Sequence, residues 1–376
     1  MINWQTYRDL FPHLGQQIYM NHAAIAPMNL RAQKAIQDFM EQRLGKNIEF
    51  WPDALEKKQF FIEQIARLIQ GSANNIALTS NTSMGLNILA NGLNWQKGDR
   101  ILLNDFEFPS NVIPFLNLKR QGVEVDFVKH RNGKIWIDDI ISNIRPRTRL
   151  LSISFVEFMN GFRNDLHRIG QICREHELIF SVDAIQGLGA LQLDVQKCEI
   201  DFLACGGHKW LMWPAGLAFV HISPRIFEML HPAQAGWMSL EVPFDFFNYQ
   251  QPFAPTAQRF ETGVFSTISI IAATATLEMM LEIGPDLIEQ KILKNTQYLI
   301  SAIKNMGLDL YTDPTREHLS GIVTFFHPQA EALFEYLRQN NIFVSLREGK
   351  IRVSPHFYHD EGDLQIILDV MSRFTS

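Results

Sequence analysis

The segment Ser181-Val-Asp-Ala-Ile-Gln-Gly187, followed after a short interval by Ala204-Cys-Gly-Gly-His-Lys-Trp210, decides the fold. An apolar run precedes Asp183 and a second one precedes Lys209, and each run predicts a strand. The two strand ends present a carboxylate and an amine to one crevice. A lysine in a dry pocket loses part of its ammonium character and can form an imine with an aldehyde. A buried carboxylate can keep a pyridine nitrogen protonated, which makes the ring an electron sink.

Strand and helix patterns alternate through the middle of the chain. Such alternation predicts an α/β fold with a mostly parallel sheet of the seven-stranded type and helices on both faces. Ligands bind beyond the carboxyl ends of the strands in these sheets, where Asp183 and Lys209 lie. The predicted strands cover residues 75–79, 100–103, 123–128, 149–155, 178–182, 201–204 and 217–220, and the predicted helices cover residues 83–91 and 166–175.

The C-terminal part has a different pattern, which predicts a smaller α+β domain. We expect a large cofactor-binding domain over residues 21–258 and a small domain over residues 259–376, with residues 1–20 packed on the small one. The predicted helices of the small domain cover residues 267–283, 286–305 and 330–340, and its predicted strands cover residues 321–326, 342–345 and 351–354.

Composition excludes several classes of function. The 376 residues are 46% hydrophobic, enough for a large core, and the net charge of −6 gives no indication of nucleic-acid binding. No apolar run reaches membrane-spanning length, and the N-terminus lacks a signal-peptide layout. Cys173, Cys198 and Cys205 show no metal-ligand spacing. We therefore expect a cytoplasmic protein that binds no metal, membrane or nucleic acid.

The motifs around Asp183 and Lys209 resemble the class V aminotransferase family of pyridoxal 5'-phosphate (PLP) enzymes, of fold type I, which includes cysteine desulfurases and kynureninases. The resemblance covers nearly the whole chain. It implies that Lys209 binds PLP covalently and moves protons at the substrate α-carbon. It also implies that Asp183 pairs with the pyridine nitrogen, that Gln186 hydrogen-bonds the phenolic oxygen, and that His208 lies near the phosphate. The plainer alternatives are a surface lysine, a strand-end cap and a packed histidine.

Two further segments complete the cofactor site that the resemblance implies. Thr82 and Ser83 open a predicted helix, whose free amides bind anions such as the PLP phosphate. Asn81 stands where the family usually has a glycine. Phe108 falls where an aromatic ring stacks on the cofactor. An ordinary helix cap and a core phenylalanine are the alternatives for these positions.

The substrate carboxylate has its own candidate residues. Arg352, in Lys350-Ile-Arg-Val-Ser-Pro355, resembles the family arginine that binds the substrate α-carboxylate through a two-point fork. Asn21 and Ala24 belong to a segment that resembles the lining of the same pocket. A surface arginine on an edge strand is the alternative.

The chain also departs from the desulfurase pattern. Phe158 replaces an asparagine near the cofactor, Gly206 replaces a phosphate-binding serine, and Val264 replaces a threonine that reaches the neighbouring subunit. Whether Asn160 substitutes for the asparagine stays open. Residues 342–352 contain no cysteine, whereas desulfurases carry their persulfide-forming cysteine there, so we expect no efficient cysteine desulfurase.

These observations favour an enzyme that acts on the α-carbon of a small amino acid through an external aldimine, most simply an aminotransferase-like one. The alternative is a PLP-dependent C–S or C–C lyase of the desulfurase or kynureninase kind, or an amino-acid epimerase. A non-catalytic PLP-binding regulator is a third class, but such proteins usually carry a DNA-binding appendage or lose the lysine.

The loop at residues 259–267 predicts a homodimer with shared active sites, because the matching family loop crosses to the partner's phosphate site. Aromatic residues crowd nearby, as an obligate interface would require. A core between the two domains of one chain would also explain them. These residues are Trp237, Phe244, Phe246, Phe247, Tyr249 and Phe253.

Overall fold

A seven-stranded sheet forms the centre of the protein. The computed structural model describes residues 2–374. The strands are β1 Ile18–Tyr19, β2 Ile76–Thr79, β3 Arg100–Asn104, β4 Glu124–Val128, β5 Thr148–Ser154, β6 Ile179–Asp183, β7 Phe202–Gly206, β8 Ala218–Ile222, β9 Val323–Phe326, β10 Ile342–Phe343, β11 Ser345–Arg347 and β12 Lys350–Val353. The central sheet has the order β2-β8-β7-β6-β5-β3-β4, and of its strands only β8 is antiparallel to its neighbours. This arrangement confirms the predicted mostly parallel sheet.

Helices cover both faces of this sheet. The helices are α1 Trp4–Arg8, α2 Leu30–Gly45, α3 Trp51–Ile69, α4 Thr82–Gly92, α5 Ile113–Leu116, α6 Ile137–Asn143, α7 Leu166–Glu175, α8 Pro224–Phe227, α9 Thr267–Ile283, α10 Pro285–Asn305, α11 Ala330–Gln339 and α12 Glu361–Arg373. Successive side chains of β5 point to opposite faces of the sheet, and each enters a different apolar cluster. Leu150 belongs to the cluster that contains Leu89 of α4, whereas Leu151 belongs to the cluster that contains Phe61 of α3.

A second, three-stranded antiparallel sheet has the order β11-β12-β9 and packs with helices α10, α11 and α12 around its own apolar cluster. The segment predicted as one strand at 342–345 is divided. β10 pairs with β1, and Ser345 begins β11, which pairs with β12. Helix α9 packs against α2 and α3 and shares the apolar cluster of the large sheet. The boundary at residue 259 stays a prediction.

Within residues 2–374, no single helix combines the length and the hydropathy of a membrane span. Helices α9 and α10 meet those criteria only as a pair, and the pair is bent by 82° between them.

A buried histidine cluster joins the N-terminal segment to the small sheet and to the loop that follows β7. His22 Nε2 lies 2.5 Å from the Tyr358 hydroxyl oxygen, and His356 Nε2 lies 3.0 Å from the Trp210 carbonyl oxygen. The His356 amide donates to Nδ1 of His359 over 3.0 Å. Burial lowers the pKa of His356 to about 3 and that of His359 to about 4. Burial likewise holds the pKa of His22 well below its ordinary value.

Replacing His359 by asparagine is expected to change how the free energy of unfolding depends on pH. The folded pKa of His359 is about 4, below its ordinary 6.5, so between these values the unfolded state binds the extra proton. The contribution of His359 to the free energy of unfolding therefore falls as pH falls through this window, by about 1.4 kcal/mol per pH unit. Asparagine can still accept from the His356 amide but takes up no proton. Urea titrations of both proteins from about pH 7.5 to pH 4.5 should show that the free energy of unfolding of the wild type falls relative to that of His359→Asn as pH falls.

The difference between the two proteins is the quantity to compare, because other buried groups act in the opposite direction. Burial raises the pKa of Asp183 to about 6 and that of Glu107 to about 7, so the folded state holds their protons more tightly. Their contribution is present below their ordinary pKa values and is lost as pH rises through the raised ones. These groups are common to both proteins and cancel in the comparison. A difference that stays constant with pH would contradict the role given to His359.

Candidate active site

Asp183 ends β6 at the centre of the large sheet. In the strand register it lies between Ser154, the last residue of β5, and Ala204 of β7, two residues before that strand ends. Its side chain is 1% exposed, and Oδ1 accepts a 3.0 Å hydrogen bond from the amide of Ile185. Burial raises the pKa of Asp183 to about 6, against the opposing effects of that hydrogen bond and of Lys209. The carboxylate is thus held in the interior without a full set of partners.

Lys209 lies in the loop after β7, on the same side of the sheet as Asp183. It is half-buried, and burial is the largest cause that lowers its pKa to about 8. The charge of Asp183 opposes this shift, whereas the charge of Arg352 adds to it. The Lys209 Nζ lies 5.6 Å from the centre of the Phe108 ring. The structure therefore brings together a lysine that is easily deprotonated, a buried carboxylate and an aromatic ring.

The turn that presents Lys209 depends on glycine. A Cβ at Gly207 would lie 2.0 Å from the Trp213 ring, so any side chain there would displace the loop. His208 beside it is half-buried, and burial, followed by the charge of Lys209, lowers the pKa of its ring. Its carbonyl oxygen accepts a 2.8 Å hydrogen bond from Ala26, which ties the N-terminal segment to the lysine loop.

Helix α4 begins next to this loop. Asn81 caps the helix by accepting from the Met84 amide over 2.9 Å, and the buried Thr82 accepts from the Gly206 amide over 3.0 Å. The Ser83 hydroxyl donates to Ser110 over 2.9 Å. The first-turn amides of Thr82 and Ser83 have no acceptor within the helix. This end of α4 therefore offers amides and hydroxyls to an anion.

Gln186 is more constrained than the sequence indicates. Its Nε2 donates to the Ala23 carbonyl over 3.0 Å, and its Oε1 accepts from the Trp210 indole over 3.0 Å. One amide hydrogen therefore remains for any further acceptor. The side chain also links the strand end of Asp183 to the N-terminal segment.

Arg352 is buried on β12 and faces the same site. It is 1% exposed, and its guanidinium donates to the Phe158 carbonyl oxygen and, over 3.5 Å, to the Ser345 hydroxyl. Ser345 in turn donates to Asn21 over 2.6 Å. The Arg352 Nε is buried and has no hydrogen-bond partner among residues 2–374. Burial, then the charge of Arg347, lowers the pKa of Arg352 to about 9.

The remaining predicted pocket residue, Ala24, is half-buried, and its amide donates to the Asn21 carbonyl over 2.9 Å. Phe158, which replaces the family's asparagine, lies between two site residues. Its ring packs edge-to-face against Phe108 at 5.3 Å between centroids, and its carbonyl oxygen holds Arg352.

A buried pair of carboxylates beneath the site has no counterpart in the sequence analysis. Glu107 accepts from the Ser154 amide over 2.7 Å and from the Ser154 hydroxyl over 2.5 Å. Asn104 donates to Glu107 over 2.7 Å and to Glu157 over 3.4 Å. Burial is the first cause that raises the pKa of Glu107 to about 7, and burial and then Glu107 raise that of Glu157 well above its ordinary range. With Asp183 also nearby, the pair is expected to hold a proton.

An open groove lies beside the site, and Lys209 is not among the residues that line it. It has a volume of about 840 Å³. The loop before α9 forms one wall, and the buried ion pair between Lys58 and Glu261 fixes the start of that loop. The groove is lined by residues that include Ser80, Met84, Asn87, Gly263, Val264 and Ser266.

The sequence is similar to those of known protein families and proteins over nearly its whole length. The family model described as aminotransferase class-V matches residues 18–361. The uncharacterised aminotransferase YcbU of Bacillus subtilis is 25% identical over 99% of this chain and 98% of its own. A probable cysteine desulfurase of Methanothermobacter thermautotrophicus is 27% identical over 97% of this chain and 96% of its own. The family match confirms the resemblance drawn from the motifs.

Solved structures share the fold. The apo cysteine desulfurase from Thermococcus onnurineus NA1 superposes with a TM-score of 0.89 at 23% identity, covering 99% of this chain and 98% of its own. The complex of the cystine C–S lyase C-DES with its reaction product cysteine persulfide superposes with a TM-score of 0.90 at 22% identity, covering 97% and 100%. These likenesses confirm the predicted fold class.

Proposed function

The chain belongs to the aminotransferase class-V family, and we propose that it acts at the α-carbon of a small amino acid as an aminotransferase-like enzyme. Membership makes it a PLP-dependent transferase or lyase. The observation that carries the proposal is the position of Lys209, which lies 5.6 Å from the Phe108 ring, feels the charge of Asp183 and has a pKa lowered by burial to about 8. An amine in this state is available both as a nucleophile and as a proton acceptor near neutral pH.

The residues around Lys209 fit PLP. Only Oδ1 of Asp183 accepts a hydrogen bond among residues 2–374, so its second oxygen can meet the pyridine nitrogen. The Phe108 ring, 5.6 Å from the Lys209 Nζ, is proposed to cover the cofactor, and the first turn of α4, at Thr82 and Ser83, is proposed to donate to the phosphate. When bound, PLP withdraws electrons from the substrate α-carbon.

The other site residues position the substrate and the cofactor. Lys209 is proposed to take the α-proton, and Gln186 to donate its remaining amide hydrogen to the phenolic oxygen. His208 is proposed to lie near the phosphate. Arg352, supported by Ser345 and Asn21, is proposed to bind the α-carboxylate, because its buried Nε lacks a partner.

Arg352→Ala should raise the half-saturating concentration of amino acids far more than it changes PLP content. A buried charge-assisted hydrogen bond contributes about 1.5–3 kcal/mol, which corresponds to roughly ten- to hundredfold in binding. Arg352→Lys is the matched control, since it keeps the charge but loses the fork and should recover part of the binding. Kinetics and PLP absorbance measure the two quantities. Unchanged half-saturation in the alanine variant would exclude Arg352 from the pocket.

A C–S or C–C lyase or an epimerase is the alternative. The similarity to a probable cysteine desulfurase and to the cystine C–S lyase C-DES is compatible with the C–S lyase. Cys205 is buried, and burial raises the pKa of its thiol well above its ordinary range, so it is a poor persulfide acceptor. A panel of amino acids decides between the reactions. Conversion of bound PLP to its amine form supports transamination, whereas release of pyruvate or sulfide without a co-substrate supports a lyase. Stoichiometric persulfide on the protein would contradict the leading proposal.

We also propose a homodimer whose active sites are shared. The aromatic cluster predicted from the sequence packs partly on Trp51 within the chain, yet Phe246, Phe247 and Tyr249 remain exposed by 60%, 87% and 78%. These rings and the groove beside Val264 together favour burial against a second copy. Mass in solution at low protein concentration tests this, and an active monomer that retains PLP would refute it.

A further inference from the structure

We propose that Arg347, acting beside Arg352, selects amino acids whose side chain carries a second acidic group, a carboxylate or a sulfinate. The inference rests on the proposed function, because it assumes that Arg352 binds the α-carboxylate. It assigns to Arg347 the recognition of the other end of the substrate.

The hairpin of β11 and β12 places both arginines on one face. Ser345 lies opposite Arg352 in the register, and Arg347 lies opposite Lys350. Side chains alternate along a strand, so Ser345 and Arg347 point to the same side. Ser345 contacts Arg352 and Asn21, which shows that this side faces the site. Arg347 is therefore a diagonal neighbour of Arg352, at about 7 Å between their backbones.

Charge on this face is not balanced by the protein. Neither Arg347 nor Arg352 has a carboxylate within 4.0 Å among residues 2–374, and the Arg352 Nε is buried without a partner. Arg347 lies close enough for its charge to lower the pKa of both Lys209 and Arg352. Among the causes that shift the pKa of Lys209, Asp183 is the carboxylate whose negative charge opposes the positive ones. The pyridine nitrogen is proposed to pair with Asp183, so this charge does not neutralise the arginines.

A substrate with one carboxylate would neutralise Arg352 and leave Arg347 facing an incoming neutral side chain. A substrate with a second acidic group satisfies both guanidiniums, each of which can bind a carboxylate or a sulfinate through a two-point fork. Arg347 is exposed at the end of the hairpin and can meet a ligand that enters from solvent. Aspartate, glutamate and cysteine sulfinate have the required chemistry.

Lys350 provides a matched control. It shares the face of Arg347, but its Nζ lies 5.1 Å from the centre of the Tyr311 ring and 5.3 Å from that of Phe326, and it donates to the Glu348 carbonyl. Its charge is therefore engaged at the outer end of the sheet. Removing it tests whether general positive charge, rather than Arg347 itself, attracts an acidic substrate.

The experiment compares the wild-type holoenzyme with Arg347→Gln and Lys350→Gln. Half-saturating concentrations are measured from the change in cofactor absorbance, for aspartate against asparagine, for glutamate against glutamine, and for cysteine sulfinate against cysteine. The wild type should favour at least one acidic member of these pairs. Arg347→Gln should lower that preference by roughly ten- to hundredfold, as expected for a lost charge-assisted contact. Lys350→Gln should retain it.

Two results would overturn the inference while leaving the proposed function in place. One is a wild type that responds to neutral amino acids without preferring an acidic partner. The other is an Arg347→Gln variant that keeps the wild-type preference. The absence of any response to any amino acid would instead overturn the proposed function, and this inference with it. The acid that responds distinguishes a carboxylate-bearing substrate from a sulfinate-bearing one.

Discussion

Lys209→Ala is expected to retain PLP without a covalent bond and to lose nearly all turnover. The Lys209 Nζ lies 5.6 Å from the Phe108 ring and feels the charge of Asp183, and its lowered pKa of about 8 makes the neutral form accessible. Removing it eliminates both the nucleophile and the proposed proton acceptor. Loss of a positioned general base alone costs roughly 10²- to 10⁴-fold in rate. Turnover assays should show at least that decrease.

Borohydride reduction gives a readout that does not depend on activity. In the wild type it should fix the cofactor to the peptide that contains Lys209, whereas Lys209→Ala should take up no covalent label. Lys197→Ala is the control, because Lys197 is exposed and pairs with Asp194 away from the site. Covalent label on another lysine of the wild type would contradict the assignment of Lys209 as the residue that binds PLP.

The sequence predicts the large sheet well because its strands are short apolar runs that end in polar residues. β6 and β7 are examples, since both are wholly buried and lead directly to the residues of the site. Residues 25–70 show no such alternation, although α2 and α3 form there. Their apolar faces pack on α9, a helix some 200 residues away in the chain, so their burial depends on a partner that a local pattern does not reveal.

The candidate site follows the same rule. The motifs bring Asp183 and Lys209 together because both follow neighbouring parallel strands. The carboxylate pair of Glu107 and Glu157 depends on side chains about 50 residues apart, and neither segment looks acidic by itself. The hydrogen bond between Gln186 and the Trp210 indole likewise joins residues that are not neighbours in the sequence. Contacts of this kind are set by packing, and sequence spacing carries little signal for them.

Asp183→Asn should keep the fold and part of the bound PLP but lose most α-proton chemistry. The pyridine nitrogen stays protonated only if a negative charge meets it, and a neutral amide supplies none. Leaving one member of a buried charge pair without its partner costs about 3–5 kcal/mol, so the ring would give up its proton instead. The electron sink then weakens, and turnover should fall by roughly 10²- to 10⁴-fold.

Exchange of the substrate α-proton in heavy water measures this step whatever reaction follows it. The exchange rate should fall with turnover in Asp183→Asn, while the amount of PLP bound falls much less. Asp183→Glu restores the charge and should recover part of the exchange, although its longer side chain must fit a position that is 1% exposed. If asparagine slowed exchange only by disturbing the packing, restoring the charge would not help. Asp183→Glu would then exchange the α-proton no faster than Asp183→Asn. Wild-type exchange in Asp183→Asn would show that the carboxylate does not control the ring.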